Sequence, residues 1–373
     1  MYATAMKRTH ERYLTELTSL PTAAGRESRV IAWIEAWAMR HAATVKLRRD
    51  RFGNLLLMRA SGPRSDRPII FAAHMDHPAF VVDAASDGRD ASAEFRGGVH
   101  ANYFKGTAVT LHRHDEPPRP GRVAILHQGD DARDKRATIR FDEPTVVEPG
   151  DVITWAIAPA KVVGDRLHAP ACDDLAGVAA AIAAFEQLLK QTSVGDVRVL
   201  LTRAEEVGFI GAMAACRSRI MPKRSRIVAL ENSKSFDDSP IADGPIVRVG
   251  DRTSTFDPDL TYRVGKLAEQ LASDDKQFKW QRKLMPGGTC EASAYQSLGY
   301  IATCVCLPLG NYHNMNERTG KIDAEVISLA DYHALVRLLI AVGSQLDDPS
   351  RSPTLRRRLD ALFDERRAIL AEG

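Results

Sequence analysis

Apolar and polar positions change rhythm twice along the chain. Helices are predicted around Met6 to Leu17 and around Glu27 to Ala43, separated by the turn LPTAAGRES. TVKLRRDRFGNLLLMRA then reads as two strand-like runs about a Gly53-Asn54 turn, and RPIIFAAHMD as a buried strand ending in polar residues. From about residue 79 to 165 the pattern is different. Short strand-like pieces (AFVVDAA, TAVTLH, GRVAILH, ATIRF, DVITWAI) alternate with Gly, Pro and Asp turns, and no helix is predicted. From Asp173 onward helix and strand alternate: a helix over 174–190, the strand DVRVLLTR, a short helix near 211–218, the strand RIVALE, a helix over 258–272, the strand YIATCVCL and a helix over 324–345.

This order predicts an α/β fold with a mixed, mostly parallel sheet sandwiched by helices, built from residues 1–78 and 166–373. Residues 79–165 would form a small inserted all-β domain. The final segment, SPTLRRRLDALFDERRAIL, sets Leu355, Leu359, Leu362, Phe363, Ile369 and Leu370 roughly on one stripe. It is expected to be a docked terminal helix or an oligomer contact rather than a binder of acidic surfaces.

Composition narrows the function classes. A formal net charge of +3 over 373 residues makes no case for nucleic acid or membrane as partner. The first twenty residues carry charges throughout, unlike a signal peptide, and the longest apolar run, Leu175 to Phe185, is too short to span a bilayer. A cytoplasmic protein is expected. Cys172, Cys216, Cys290, Cys304 and Cys306 are odd in number and lack zinc-knuckle spacing, so buried free thiols are the expected state.

In open α/β sheets, ligands bind beyond the carboxyl ends of the strands. Those ends here carry His74-Met75-Asp76, Asp173-Asp174, Glu205-Glu206, Glu231 and His313. Singly, each has a plain structural reading: a core His–Asp pair, a helix N-cap, a solvated acidic edge. Five at equivalent places argue for metal. Two imidazoles and three carboxylates, without thiolate, suit two divalent metal ions: zinc first, with cobalt or manganese as alternatives. Asp173, at a helix start, is the natural bridge between two ions. Asp76 can accept the other N–H of His74. Hydrolysis also needs a carboxylate base near the ions but not bound to them, and of two neighbouring glutamates one can bind while the other faces water.

These residues resemble the co-catalytic metallo-aminopeptidases that include the tetrahedral, deblocking and glutamyl aminopeptidases. The resemblance runs through LTSLPTAAGRE, DRFGNLLL, AAHMD, ACDDLAGVAA, RAEEVGFIGA, GPIVRVGDRT, GGTCEASAYQSLG and YHNMNE, nearly the whole chain to about residue 345. It implies a catalytic α/β domain interrupted by a β-rich domain, where carboxypeptidase G and the aminoacylases carry their extra domain later. It also implies that His74 and Glu231 bind the first metal, Glu206 and His313 the second, that Asp173 bridges and that Glu205 is the general base. A cis peptide after Asp173 and assembly into a homo-oligomer through the inserted domain are implied as well.

Three departures stand out. His77-Pro78 replaces an acidic residue after His-x-Asp, so His77 is either a spare ligand or, the preferred reading, an ordinary packed histidine. Cys290-Glu291 stands where an Asp is usual. Glu231 replaces an Asp common among the aminopeptidases and leaves a carboxypeptidase or N-acyl-amino-acid amidohydrolase as the alternative, with Arg252, Lys283 or Lys105 available for a substrate carboxylate. The expected function is a dinuclear metal-dependent exopeptidase, an aminopeptidase acting on small peptides. An inactive scaffold would have lost a ligand or the base, and none is lost.

Overall fold

The computed structural model describes residues 4–114, 116–129 and 134–371. Helix α1 (Thr4–Leu17) buries Tyr13, Leu14 and Leu17, and α2 (Ser28–Arg40) buries Val30, Ile34, Trp37 and Ala38. That 3.6-residue spacing puts one stripe of each into a shared buried core. The hairpin β1 (Val45–Arg49) and β2 (Leu55–Arg59) turns at Gly53, whose φ of 89° favours glycine. Strand β3 (Ile69–His74) is buried along its whole length, as a central parallel strand must be.

The chain then leaves the sheet. Strands β4 (Ala79–Val82), β5 (Asp90–Arg96), β6 (Ala108–His112), β7 (Arg119–Gln128), β8 (Lys135–Phe141) and β9 (Val152–Trp155) close a barrel in the order β4-β5-β8-β7-β6-β9. Alternation along β5 and β8 turns every second side chain inward. Phe80, Phe95, Phe104 and Trp155 fill the interior, with Phe80 meeting Phe95 at 4.8 Å and Trp155 at 4.9 Å, both edge to face.

The short hairpin β10 (Lys161–Val163) and β11 (Arg166–Ala169) leads back to α3 (Leu175–Leu189). Its Ala- and Leu-rich sequence is buried on nearly all sides, the mark of a helix enclosed by the fold. Then come β12 (Val197–Thr202), α4 (Ile210–Ser218), β13 (Arg226–Lys234), β14 (Ile246–Gly250), α5 (Pro258–Asp274), β15 (Gln281–Leu284), α6 (Glu291–Ser297) and β16 (Ile301–Leu309). The two-residue strands β17 (Met315–Asn316) and β18 (Lys321–Ile322) precede β19 (Glu325–Ser328), α7 (Leu329–Gln345) and α8 (Leu355–Arg366).

The main sheet has eight strands in the order β1-β2-β12-β3-β13-β16-β14-β15. Its centre, β12, β3, β13 and β16, is parallel, and β2 and β14 join it antiparallel. Residues of α1, α2, α3, α5 and α7 share one core on one face, and α4 and α6 build a second core on the other. The expected mixed, mostly parallel sheet between helices is therefore present.

Two expectations need correcting. The helix expected over 324–345 starts at Leu329, because residues 325–328 pair with β11 and the Ser328 side chain caps the helix by accepting from Asp331 N–H. The terminal helix is not docked by its apolar stripe: α8 has no buried residue, and Leu359, Leu362, Phe363, Ile369 and Leu370 are exposed.

Candidate metal centre

Strand register brings the site together. Thr202 of β12 lies beside His74 of β3, and Ala229 of β13 beside Ala72, so His74, the loop after Thr202 and Glu231 reach the same edge of the sheet. Asp173 and Asp174 precede α3 and are joined by a cis peptide bond, as the resemblance implied. His313 follows β16 on a short turn.

His74 Nε2 lies 3.4 Å from Asp173 Oδ1, 3.6 Å from Glu231 Oε1 and 4.0 Å from Glu205 Oε2. His313 Nε2 lies 3.4 Å from Asp173 Oδ2 and 3.5 Å from Glu206 Oε1. Asp173 thus turns one oxygen to each histidine. Both imidazoles spend Nδ1 on a main-chain carbonyl, His74 on Asp76 at 3.1 Å and His313 on Gly98 at 2.7 Å, which leaves each Nε2 facing the cluster. Buried His74 Nε2, Asp173 Oδ1 and Glu206 Oε1 have no hydrogen-bond partner. Two ligands at ~2.1 Å from a tetrahedral ion stand ~3.4 Å apart. The separations are long for hydrogen bonds and right for atoms that share an ion.

His74, Asp173 and Glu231 form one potential ligand group, and Asp173, Glu206 and His313 a second; a third combines His74 with Glu205 and Glu206. Asp173 belongs to the first two. Glu205 stands farther from the histidine it faces than the other carboxylates do. The donor set, all imidazole and carboxylate, fits two divalent ions.

Excess negative charge sets the electrostatics of the metal-free cluster. Burial raises Glu206 to about 8 and Glu231 to about 7, with the charge of Asp173 adding to both. Burial, then Glu231, Glu206 and Asp76, lifts Glu205 well above the usual carboxylate range. His313 is raised to about 10: burial alone would lower it, but Glu206 and Asp173 override burial. Asp173 is held low against its burial by His313 and His74. Divalent ions would take the place of the protons this cluster retains.

Positions the sequence did not foresee hold these ligands. Asp76 was expected to accept from His74: its Oδ1 stands 3.6 Å from His74 Nδ1, its main-chain carbonyl is nearer at 3.1 Å, and the same carboxylate also accepts the N–H of Glu205 and of Glu206, each at 3.0 Å. The two glutamates diverge because they stand on a turn, three and four residues past the end of β12, and not by strand alternation. Buried Glu27 holds the approach to that turn, accepting from Ala204 N–H at 3.0 Å and Arg203 Nε at 2.6 Å. Glu325 accepts from Cys172, Asp173 and His313 N–H groups. Glu27 lies in the LPTAAGRE stretch of the resemblance; Glu325 lies on β19, within the segment whose pattern predicts a helix over 324–345.

His77 is buried and packed, with Nδ1 at Asp173 O and Nε2 at Asn314 Oδ1, and burial pushes it down to about 4. Lys283 is paired with Asp238, while Arg252 and Lys105 are exposed. All five cysteines are free, four of them buried.

A sequence model of the M42 glutamyl aminopeptidases matches residues 53–338. The chain belongs to the M42 family. It is accordingly a metal-dependent aminopeptidase, and the carboxypeptidase and amidohydrolase alternative is not favoured. Solved structures share the fold of this M42 chain. A TET aminopeptidase from the marine sediment archaeon Thaumarchaeota archaeon SCGC AB-539-E09 is 20% identical with a TM-score of 0.75, over 92% of this chain and 98% of that one. An aminopeptidase from the archaeon Desulfurococcus kamchatkensis is 21% identical with a TM-score of 0.73, over 91% and 95%. The Pyrococcus horikoshii TET1 peptidase, described as assembling into a tetrahedron or a large octahedral shell, is 21% identical with a TM-score of 0.72, over 90% and 100%.

Proposed function

We propose that this M42 chain is a dinuclear exopeptidase that removes N-terminal residues from short peptides. His74, Asp173 and Glu231 would hold one divalent ion and Asp173, Glu206 and His313 the other, with zinc as the first candidate and cobalt or manganese as alternatives. One observation carries the assignment: Asp173 presents a different oxygen to each histidine, at 3.4 Å in both cases. When bound, the ions supply Lewis acidity to the scissile carbonyl and to the attacking water. Glu205, beyond the closest ligand contacts yet facing the same space, takes the proton of that water and returns it to the departing amine. Asp76 orients Glu205 and Glu206 through their N–H groups.

The catalytic unit is assigned to residues 1–78 and 166–373, and 79–165 to a separate β-rich domain serving assembly of a homo-oligomer. The large assembly described for the Pyrococcus horikoshii relative supports this reading. Among the described residues no helix is long and apolar enough to cross a membrane, and a cytoplasmic site of action is proposed.

The test is hydrolysis of free dipeptides against N-acylated amino acids, with chelator and after adding back zinc, cobalt or manganese. Free-amine substrates should be cleaved, chelator should stop the reaction and metal should restore it. Cleavage confined to blocked substrates, or full activity of metal-free protein, would overturn the proposal.

A further inference from the structure

Asp173 and His313 lie on different loops, one after β11 and one after β16, and two buried side chains tie those loops together. Glu325 opens β19, which is paired on one side with β11 through Ala169 and bridged on the other to Gly310 through Val326. The chain therefore runs past Glu325 just before Asp173 and again just before His313. Its carboxylate uses both positions. Oε2 accepts from Cys172 N–H at 2.7 Å and Asp173 N–H at 3.0 Å, and Oε1 accepts from His313 N–H at 2.8 Å.

The opposite side of the same junction is held by His77. Its Nδ1 meets the Asp173 carbonyl at 2.5 Å and its Nε2 meets Asn314 Oδ1 at 3.0 Å, while Asn314 Nδ2 donates to the Pro170 carbonyl at 2.9 Å. Asp173 is thus held at its N–H by Glu325, while its C=O lies against His77, whose ring also packs on Asn314 of the His313 loop; a neutral His77 donates its single N–H to one of these two oxygens.

That loop needs holding. Asn311, His313 and Asn314 all have φ between 53° and 64°, the left-handed region that costs a non-glycine residue free energy. Three such residues within four positions persist only where surrounding bonds fix them. Released, the loop would relax, and His313 Nε2 would leave its place 3.4 Å from Asp173 Oδ2.

We infer that Glu325 and His77 are positioning residues that set the gap between Asp173 and His313 and thereby the affinity of the second ion. This rests on the ligand assignment proposed above. Neither side chain belongs to a potential ligand group, so the effect is transmitted through backbone placement. His74 and Glu231 stand on β3 and β13, outside the stapled loops, so the first ion should be affected less.

The experiment is a cobalt(II) titration of metal-free protein followed by visible absorbance, with elemental analysis after dialysis, on the intact chain and on the variants Glu325→Gln, His77→Phe and His313→Ala. Thermal unfolding of each metal-free variant is recorded in parallel. Wild type should retain two ions. Glu325→Gln, which turns an amide toward a backbone N–H, and His77→Phe should each weaken the second ion by about 10- to 100-fold, the usual effect of losing a supporting partner, and leave the first within a few-fold. Two ions held as in wild type by both variants would overturn the inference, as would equal weakening of both ions in step with a general loss of thermal stability. His313→Ala separates the two levels: if it too keeps both ions tightly, the ligand assignment itself is wrong; if it alone loses one, only the positioning role fails.

Discussion

Glu205 and Glu206 are chemically identical neighbours with different partners. Asp76 fixes both backbones with one oxygen each, but Glu206 Oε1 lies 3.5 Å from His313 Nε2 while Glu205 Oε2 lies 4.0 Å from His74 Nε2. The proposed division of labour gives one carboxylate to metal and the other to a proton. Glu205→Gln should keep both ions and lower turnover by roughly 10²- to 10⁴-fold, the usual contribution of a general base, whereas Glu206→Gln should release the second ion. Metal content and steady-state kinetics on the same preparations distinguish them. Equal metal loss in both variants would reduce the pair to an acidic edge. His77 shows what a sequence withholds at this scale: packing was foreseen, but close polar contacts to residues 96 and 237 positions away have no local signature.

At the scale of elements, the strand segments proposed to bear metal were legible because β3 is an apolar run ending at His74, and the apolar stretches 199–201 of β12 and 227–230 of β13 give way to polar residues. Strand β15 was not, since Gln281–Leu284 is mostly polar and alternates half-buried and exposed positions at a sheet edge, and β19 was absorbed into the helix it precedes. Tertiary pairing, not local pattern, makes both of them strands. The short helix α4 illustrates the reverse conflict. Helix propensity alone favours Gly211→Ala by about 1 kcal/mol. Yet a Cβ at Gly211 would stand 2.0 Å from the Arg203 carbonyl oxygen and 2.5 Å from its nitrogen, both backbone atoms on the approach to Glu205. Backbone cannot swing aside as a side chain does. Gly211→Ala is therefore expected to destabilise the chain by about 1–3 kcal/mol, as overpacking does, and to depress activity by shifting the Glu205–Glu206 turn. Denaturant unfolding checks the sign, and a stabilised variant of normal activity would refute the argument.

For the molecule as a whole, the fold collects buried carboxylates that only cations can balance, and stability should report this. Glu206 and Glu231 sit at about 8 and about 7 in the metal-free chain against a model-compound value of 4.5, chiefly through burial. Between about 4.5 and those values the folded chain holds protons that the unfolded chain has released. Stability therefore falls as pH rises through that window. His313, raised to about 10 by Glu206 and Asp173 against its burial, acts in the same direction above 6.5, its contribution being complete below 6.5 and lost as pH passes about 10. His77, pushed down to about 4 by burial, opposes this only between about 4 and 6.5, where the unfolded chain binds the proton and the folded one does not. From pH 6.5 to 8 the balance of these four groups is one-sided. Metal-free protein should melt at progressively lower temperature across that range. Bound ions supply the missing positive charge at every pH and need the ligands deprotonated, so the rise in melting temperature on adding zinc should be larger at pH 8 than at pH 6.5. Thermal unfolding at fixed ionic strength, with chelator and with excess zinc, measures both quantities. A metal-free melting temperature that climbs with pH, or a zinc increment that shrinks, would mean that these carboxylates are balanced by something other than metal.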